Sequence, residues 1–477
     1  MSNNVKTIMG IAAASVKTVN GIAAASVKTV MNEDLVLSTD AQLISFATQD
    51  TGGTAIDSGT GFNTNRSEGS SIAFDPDTDQ VIVGFSDGSN ATVPTIRIGT
   101  VSGTTITFGD KIVVSSDTNA TTSMGCHYDK VNDRLIVVYR SSYSPYWTDA
   151  GIFAKAYKLH ASSLRTVETT GSKATIFNSG SGNDVSRNNL SEIQDHDGVV
   201  DVLYEDKSDG DDNYCKTVRV TNASTCALTV GSAAEFDDTS NNDFGIAYSP
   251  DAQKNVIIYP DGNTLKARAI EHLSGNPSFG SAASYSLSNC QLDVANHGGH
   301  TMIYDTEHNK FHFLYRYDGS NSNNAVNDNL YIGNLSVSGT SVTFASTGNP
   351  TTTMNNTVEI DDLIYGKHQG SNYAGAGLIY SHQRQRIIMH GNSSNSESGG
   401  TKKFHVIDFN GSAYTKSSSP IDVFTASGAP WDTGSIRTDD ASGTFGNVNL
   451  ISYFAYGGSN DGKTFIQGID AGDSTIS

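Results

Sequence analysis

Residues 72–85 read "IAFDPDTDQVIVGF", and three other stretches share the design: "GCHYDKVNDRLIVVY" (125–139), "GIAYSPDAQKNVIIY" (245–259) and "HTMIYDTEHNKFHFLY" (300–315). Each is a short apolar strand ending in an aromatic, a polar turn, and an alternating strand ending in another aromatic. The pairs Phe74/Phe85, Tyr128/Tyr139, Tyr248/Tyr259 and Tyr304/Tyr315 are all 11 residues apart. One strand–turn–strand unit therefore recurs along the chain.

Working outward, "LSEIQDHDGVVDVLY" (190–204), "GLIYSHQRQRIIMH" (377–390) and "GSIRTDDASGTFGNVNLISYF" (434–454) are weaker copies, which brings the units to seven. Asp-Gly turns follow the second strand in "SDGSN" (86–90), "SDGDDN" (208–213), "PDGN" (260–263), "YDGSN" (317–321) and "SNDGK" (459–463). Asp-Gly between strands is a hairpin signal, because Gly accepts positive φ. A third strand and a further hairpin show best in "VSGTTITF" (101–108) and "VSGTSVTF" (337–344).

Each unit is thus a four-stranded antiparallel meander that cannot cover its own two apolar faces. Radial packing solves that problem. The expected fold is all-β: a seven-bladed β-propeller of four-stranded antiparallel blades over 33–477. The last unit lacks a fourth strand, and "QLISFATQDTGGTAI" (42–56) is expected to supply it, closing the ring and removing an open edge.

Composition agrees. Of 477 residues only 17% are charged, Tyr and Phe (20 and 19) far outnumber Trp (2), and Gly reaches 47, a turn-rich β mix. The net charge of −20 repels phosphate backbones, so no nucleic-acid partner is expected. No apolar run approaches membrane-spanning length, and Lys17, Asn20, Gly21 and Lys28 interrupt any secretion-signal core. Cys126, Cys215, Cys226 and Cys290 contain no C-x-x-C and are read as buried thiols.

Ahead of the propeller, residues 1–32 form a separate segment. "VKTIMGIAAASVKT" is followed by "VKTVNGIAAASVKTV", an 11-residue repeat. Asn20-Gly21 favours a type I′ turn between strands Val16–Val19 and Ile22–Ala25. Strands this short have no private core. A right-handed coiled coil is the rival reading of the period, opposed by Gly10, Asn20 and Gly21.

Blades such as "IAFDPDTDQVIVGFSDGSN" with "IRIGTVSGTTITFG" resemble the propeller repeats of tail and adhesion proteins of tailed bacteriophages, marine ones in particular. The N-terminal repeat is similar to short tracts at the amino ends of phage tail proteins. The resemblance implies a virion tail component, several copies per particle, assembled in the host cytoplasm. Residues 1–32, with Val16, Val19, Asn20, Gly21 and Ile22, would attach it to other virion tail proteins. The propeller would face a host-surface glycan or protein.

Loops on a rigid scaffold carry recognition, which singles out "SSYSPYWTDAG" (141–151) and "GNSSNSESGG" (391–400). Tyr143, Tyr146 and Trp147 are the candidate receptor contacts. The alternatives are a spacer without a receptor, a bacterial surface lectin, and a glycan-degrading enzyme. Catalysis finds little purchase: "SNDGKTF" (459–465) falls one residue short of a sialidase Asp-box, and the carboxylates Asp195/Asp197, Glu359/Asp361/Asp362 and Asp439/Asp440 read as turn residues. Neither an enzyme nor a cofactor is expected. The histidines of "HNKFH" (308–312) span a turn and a strand, which does not suit zinc. Asp75, Asp77 and Asp79 in "DPDTDQ" alternate as calcium-loop ligands do, but Asx-turn chemistry explains the same pattern.

Overall fold

The computed structural model describes residues 7–8, 11–12, 18–19, 22–23, 29–30 and 33–34, and, between 54 and 470, the strands below with most of their short turns. The longer connections, among them 142–150, 179–192, 292–300, 318–328, 346–357, 361–376, 393–401, 425–434 and 437–447, lie outside the described residues. The chain divides into two units, Met1–Thr51 and Gly52–Ser477, a boundary later than the 32/33 division read from the sequence.

In the first unit three two-stranded sheets recur at the 11-residue period: Thr7–Ile8 with Ile11–Ala12, Thr18–Val19 with Ile22–Ala23, and Thr29–Val30 with Glu33–Asp34. Thr18 stands opposite Ala23 and Val19 opposite Ile22. The strands are two residues long where four were expected, and Val16, Asn20 and Gly21 lie outside the described residues.

The second unit is a β-propeller. Six four-stranded antiparallel blades are built from consecutive strands, at 67–113, 124–178, 193–237, 245–286, 290–360 and 377–424, numbered 1 to 6 here. In blade 1 the strands are Ser67–Asp75, Gln80–Asp87, Val93–Ser102 and an outer strand in two halves, Thr105–Phe108 and Ile112–Val113, both paired to the third. The two tight third-to-outer turns were legible: Ser102 pairs with Thr105 and Ser338 with Ser341.

The seventh repeat unit is not a blade of consecutive strands. Its strands Ser435–Ile436, Val448–Ala455 and Lys463–Asp470 share a sheet with Thr54–Ala55 and Thr60–Asn63 from the other end of the unit. The closing strand therefore lies mostly beyond the 42–56 window. It takes the same split form as the other outer strands, which moves its longer half to 60–63. The remainder of the window, 42–53, lies outside the described residues.

Burial explains why the blades stack. In the second strand of blade 2, Leu135, Val137 and Tyr139 join a cluster with Ile82, Ile96 and Ile98 of blade 1, while Ile136 and Val138 join Val200, Val202 and Tyr204 of blade 3. From Leu135 to Tyr139 the strand is apolar because it is covered on both faces, so the polar alternation expected there is absent. Its terminal aromatic also has a partner the sequence did not single out. Tyr139 stands opposite Phe153, Tyr204 opposite Tyr214 and Tyr315 opposite Tyr331, with ring centroids 5.4–5.9 Å apart.

In blades 1, 2 and 4 the break in the outer strand has a packing function. A Cβ on Gly109 would meet the Arg165 carbonyl oxygen at 2.6 Å, one on Gly171 that of Cys226 at 2.1 Å, and one on Gly280 that of Thr340 at 2.3 Å. In each case the carbonyl belongs to the third-to-outer turn of the next blade. The turn inserts where the glycine leaves room. Gly171→Ala is expected to lower stability by about 1–3 kcal/mol through this overpacking, read as a reduced urea midpoint with unchanged slope. An unshifted midpoint would mean that the turn does not seat there.

Candidate functional site

Strand direction gives the propeller two unlike faces. First-to-second and third-to-outer turns leave one end of the blades, and second-to-third and blade-to-blade connections leave the other. At the first end the turns are tight and chemically regular. In 76–79, 130–133, 250–253, 306–309 and 382–385 the last residue (Asp79, Asp133, Gln253, Asn309, Gln385) is left-handed, with φ between 51° and 55°. The residue before the turn caps it. Asp75 Oδ1 accepts the Asp77 amide at 2.9 Å, Asp129 Oδ1 those of Val131 and Asn132 at 3.0 Å, and Asp305 Oδ1 those of Glu307 and His308 at 2.8 and 3.1 Å. Such Asx caps replace backbone hydrogen bonds that the turn cannot make.

The same end is bonded from blade to blade. Arg165 N–H donates to Gln80 Oε1 at 2.5 Å across blades 1 and 2, and Arg134 donates twice to the Ala223 carbonyl, at 2.9 and 2.6 Å, across blades 2 and 3. Buried Asp201 receives Asn255 Nδ2 at 2.7 Å and His272 Nε2 at 2.9 Å from blade 4. Tyr304 O–H reaches Asp251 at 2.8 Å across blades 4 and 5. The first aromatic of the repeat thus gains a role: on Tyr304 and Tyr380 it carries a hydroxyl to the turn of the preceding blade.

The densest polar cluster joins blades 5 and 6. Asp305 Oδ1 accepts Tyr380 O–H at 2.7 Å, and Oδ2 lies 2.8 Å from His308 Nδ1 and 3.3 Å from His312 Nε2. His312 Nδ1 is 2.7 Å from Tyr414 Oη, which accepts Asn334 Nδ2 at 3.0 Å. Burial pushes the Asp305 carboxyl up, but the bonds from His312, Tyr380 and His308 outweigh it and hold the group below the usual carboxylate range. Burial lowers His312 despite the carboxylate beside it. Burial likewise raises the phenols Tyr380, with Asp305 adding to the effect, and Tyr414. A carboxylate–imidazole–phenol row has the composition of a proton relay. Here His312 is 0% exposed, so the row bonds one blade to the next.

The residues singled out in the sequence distribute as follows. Tyr143, Tyr146 and Trp147 lie outside the described residues, between strand ends Ser141 and Gly151 at the long-connection end. Most of 391–400 also lies outside them; Gly391 and Asn392 end the second strand of blade 6. Asp75 and Asp77 do approach each other, but the third carboxylate is Asp133 from blade 2 in place of Asp79, all three offering oxygens within 4.8 Å. Asp79 is instead the left-handed closing residue of its own turn. Burial raises the Asp75 carboxyl against hydrogen bonds from Thr78, Tyr128 and Asp77. These three oxygens are the donor set with which this corner could hold a hard cation. His308 and His312, one in a turn and one in a strand, face one shared carboxylate, that of Asp305.

Asp195 and Glu359 prove to be strand residues, paired with Val200 and Tyr331, where turns were expected; their companions lie outside the described residues. Cys126, Cys215 and Cys226 are buried free thiols, with Cys126 pushed up to about 12 and Cys215 well above its usual value by burial, which removes thiolate reactivity. The side chain of Cys290 lies outside the described residues.

No protein-family model matches the chain, and no curated protein resembles it in sequence. Solved propellers resemble it in fold. The Dos1 propeller is 11% identical with a TM-score of 0.41, covering 88% of this chain and 96% of that one. The Cps50 (Swd1) propeller domain of Myceliophteria thermophila is 8% identical, TM-score 0.44, over 86% and 99%. A family PL25 ulvan lyase, a polysaccharide lyase, is 7% identical, TM-score 0.45, over 87% and 96%.

Proposed function

We propose that this protein is a non-catalytic recognition propeller of a tailed-phage virion, displayed from a tail by its N-terminal hairpin unit and turned toward a host-surface glycan. The ring of this reading has seven blades. First strands touch in sequence from blade 1 through blade 6, and Ser435–Ile436 of the composite sheet touches the first strands of blades 6 and 1.

The observation that carries the functional reading is the unlikeness of the two ends. Described carboxylates, histidines and phenols at the tight-turn end cap turns and bond neighbouring blades, which suits a rigid base. The opposite end bears most of the long connections, including 142–150 and 393–401, with the first-to-second connection 437–447 of the composite sheet as an exception. Variable loops on a rigid frame are the usual arrangement for binding. Tyr143, Tyr146 and Trp147 would supply ring faces for sugar stacking. Residues 1–32, whose two-residue strands cannot stand alone, would gain their burial against other tail proteins in multiple copies.

Retention of the purified chain on host polysaccharide tests the reading. Replacing Tyr143, Tyr146 and Trp147 together by Ala is expected to weaken retention about tenfold or more with no change in unfolding midpoint. New reducing ends would establish a depolymerase instead. Lack of retention would leave a spacer. Deleting 1–32 is expected to abolish particle incorporation and leave the propeller folded.

A further inference from the structure

The blade 5–blade 6 seam holds a titratable group that nothing in recognition requires. His312 is 0% exposed, and its ring lies 4.8 Å from that of Phe409 and 5.5 Å from that of Tyr414, both from the third-to-outer hairpin region of blade 6. His308 meets the same Phe409 ring at 5.2 Å. The strand Lys402–Phe409 and the outer half-strand Tyr414–Lys416 thus press onto the two imidazoles.

We propose that His312 is an acid-sensitive latch, holding the outer hairpin of blade 6 on blade 5 when neutral and releasing it when protonated. In the neutral ring Nε2–H donates to Asp305, Nδ1 accepts the Tyr414 O–H, and the phenol oxygen accepts Asn334. Every polar atom of the row is satisfied. A proton on Nδ1 sets N–H against O–H across 2.7 Å. The phenol must then turn its hydrogen away, inside a buried site where an unmet donor is costly.

The charged and titratable groups around the ring are Asp305 from the first strand, His308 from the turn, Lys310 from its own strand, and Tyr380 and Tyr414 from blade 6. Asp305 favours the imidazolium. Burial, His308 and Lys310 oppose it and prevail. Because the folded-state pKa is lowered, the unfolded chain binds this proton first. Stability is whole above the ordinary histidine value of about 6.5 and is lost as pH falls from there toward the folded value.

The seam is independent of what the propeller binds, so its test uses the unliganded full chain. Heat-unfolding midpoints of wild type are expected to fall between about pH 7 and about pH 5. His312→Gln, whose amide can meet the same two partners without titrating, should lose much of that fall. Amide exchange at 402–416 should rise on acidification in wild type while 81–87 in blade 1 stays protected, a readout that survives if the variant folds poorly. A flat wild-type profile, an undiminished fall in His312→Gln, or acid-enhanced exchange that begins elsewhere would each overturn the latch.

Discussion

A chain beginning at residue 64 is expected to lose the cooperative unfolding transition that a chain beginning at residue 52 retains. The difference between them is the closing strand, whose halves pair Thr54 and Ala55 with Asp470 and Ile469, and Thr60, Gly61 and Asn63 with Ile466, Phe465 and Thr464. At about 1 kcal/mol net for each hydrogen bond such pairs make, the loss is on the order of 5 kcal/mol, comparable with the whole stability of many domains. Asn63 adds a buried bond from Nδ2 to Asp87 in blade 1 at 3.2 Å, so deletion also loosens the neighbouring blade. Urea titrations of both chains decide it. Equal midpoints would show that the ring does not depend on this strand.

The second large effect is expected from Asp408→Ala. Arg386 and Asp408 form a two-pronged ion pair inside blade 6, Nε to Oδ1 at 2.7 Å and Nη2 to Oδ2 at 2.8 Å, with side chains 1% and 5% exposed. Removing the carboxylate takes its two-pronged partner from a buried guanidinium, at about 3–5 kcal/mol. The double replacement Arg386→Met with Asp408→Leu removes both charges and should cost far less, since a well-packed apolar pair often matches a buried ion pair in stability. Unfolding midpoints of the three chains give the comparison. A single variant as mild as the double one would show that the buried charge finds other compensation.

Much of the propeller was legible because its repeat is written in residues with narrow uses. The 11-residue spacing of Tyr128/Tyr139 or Tyr304/Tyr315 follows from two strands and a four-residue turn, and "VSGT" at 101 and 337 specifies a two-residue hairpin in both places. The closing strand was foreseen in kind but placed too early, since its period-2 signal is weak and the outer strand is broken in every blade. The break itself left a trace that went unread: "TFG", "TTG", "TVG" and "SFG" end the first outer half-strands of blades 1 to 4. What a glycine makes room for lies in the next blade, some fifty residues on, and no local pattern states it.

The polar seams were harder still. Asp305, His308 and His312 are close in sequence, and only the two histidines were weighed there, against zinc; Tyr380 and Tyr414, which reveal the cluster as a joint, are 75 and 102 residues from Asp305 and His312. In "DPDTDQ" the alternation of Asp75, Asp77 and Asp79 reflected a cap, an exposed middle and a left-handed closing residue. The third carboxylate of the cluster comes from Asp133 of the next repeat, and only folding brings it there.

The interrupted outer strands have one more consequence. A long bare rim of backbone amides and carbonyls invites another chain to add itself as a further strand. Here the described peripheral half-strands are at most five residues long, as in Ala174–Asn178, and in blades 1, 2 and 4 the first half stops where a turn of the next blade seats. Molecules crowded side by side at high local concentration therefore meet only short, discontinuous borders, which gives the propeller a built-in defence against fusing into fibrils.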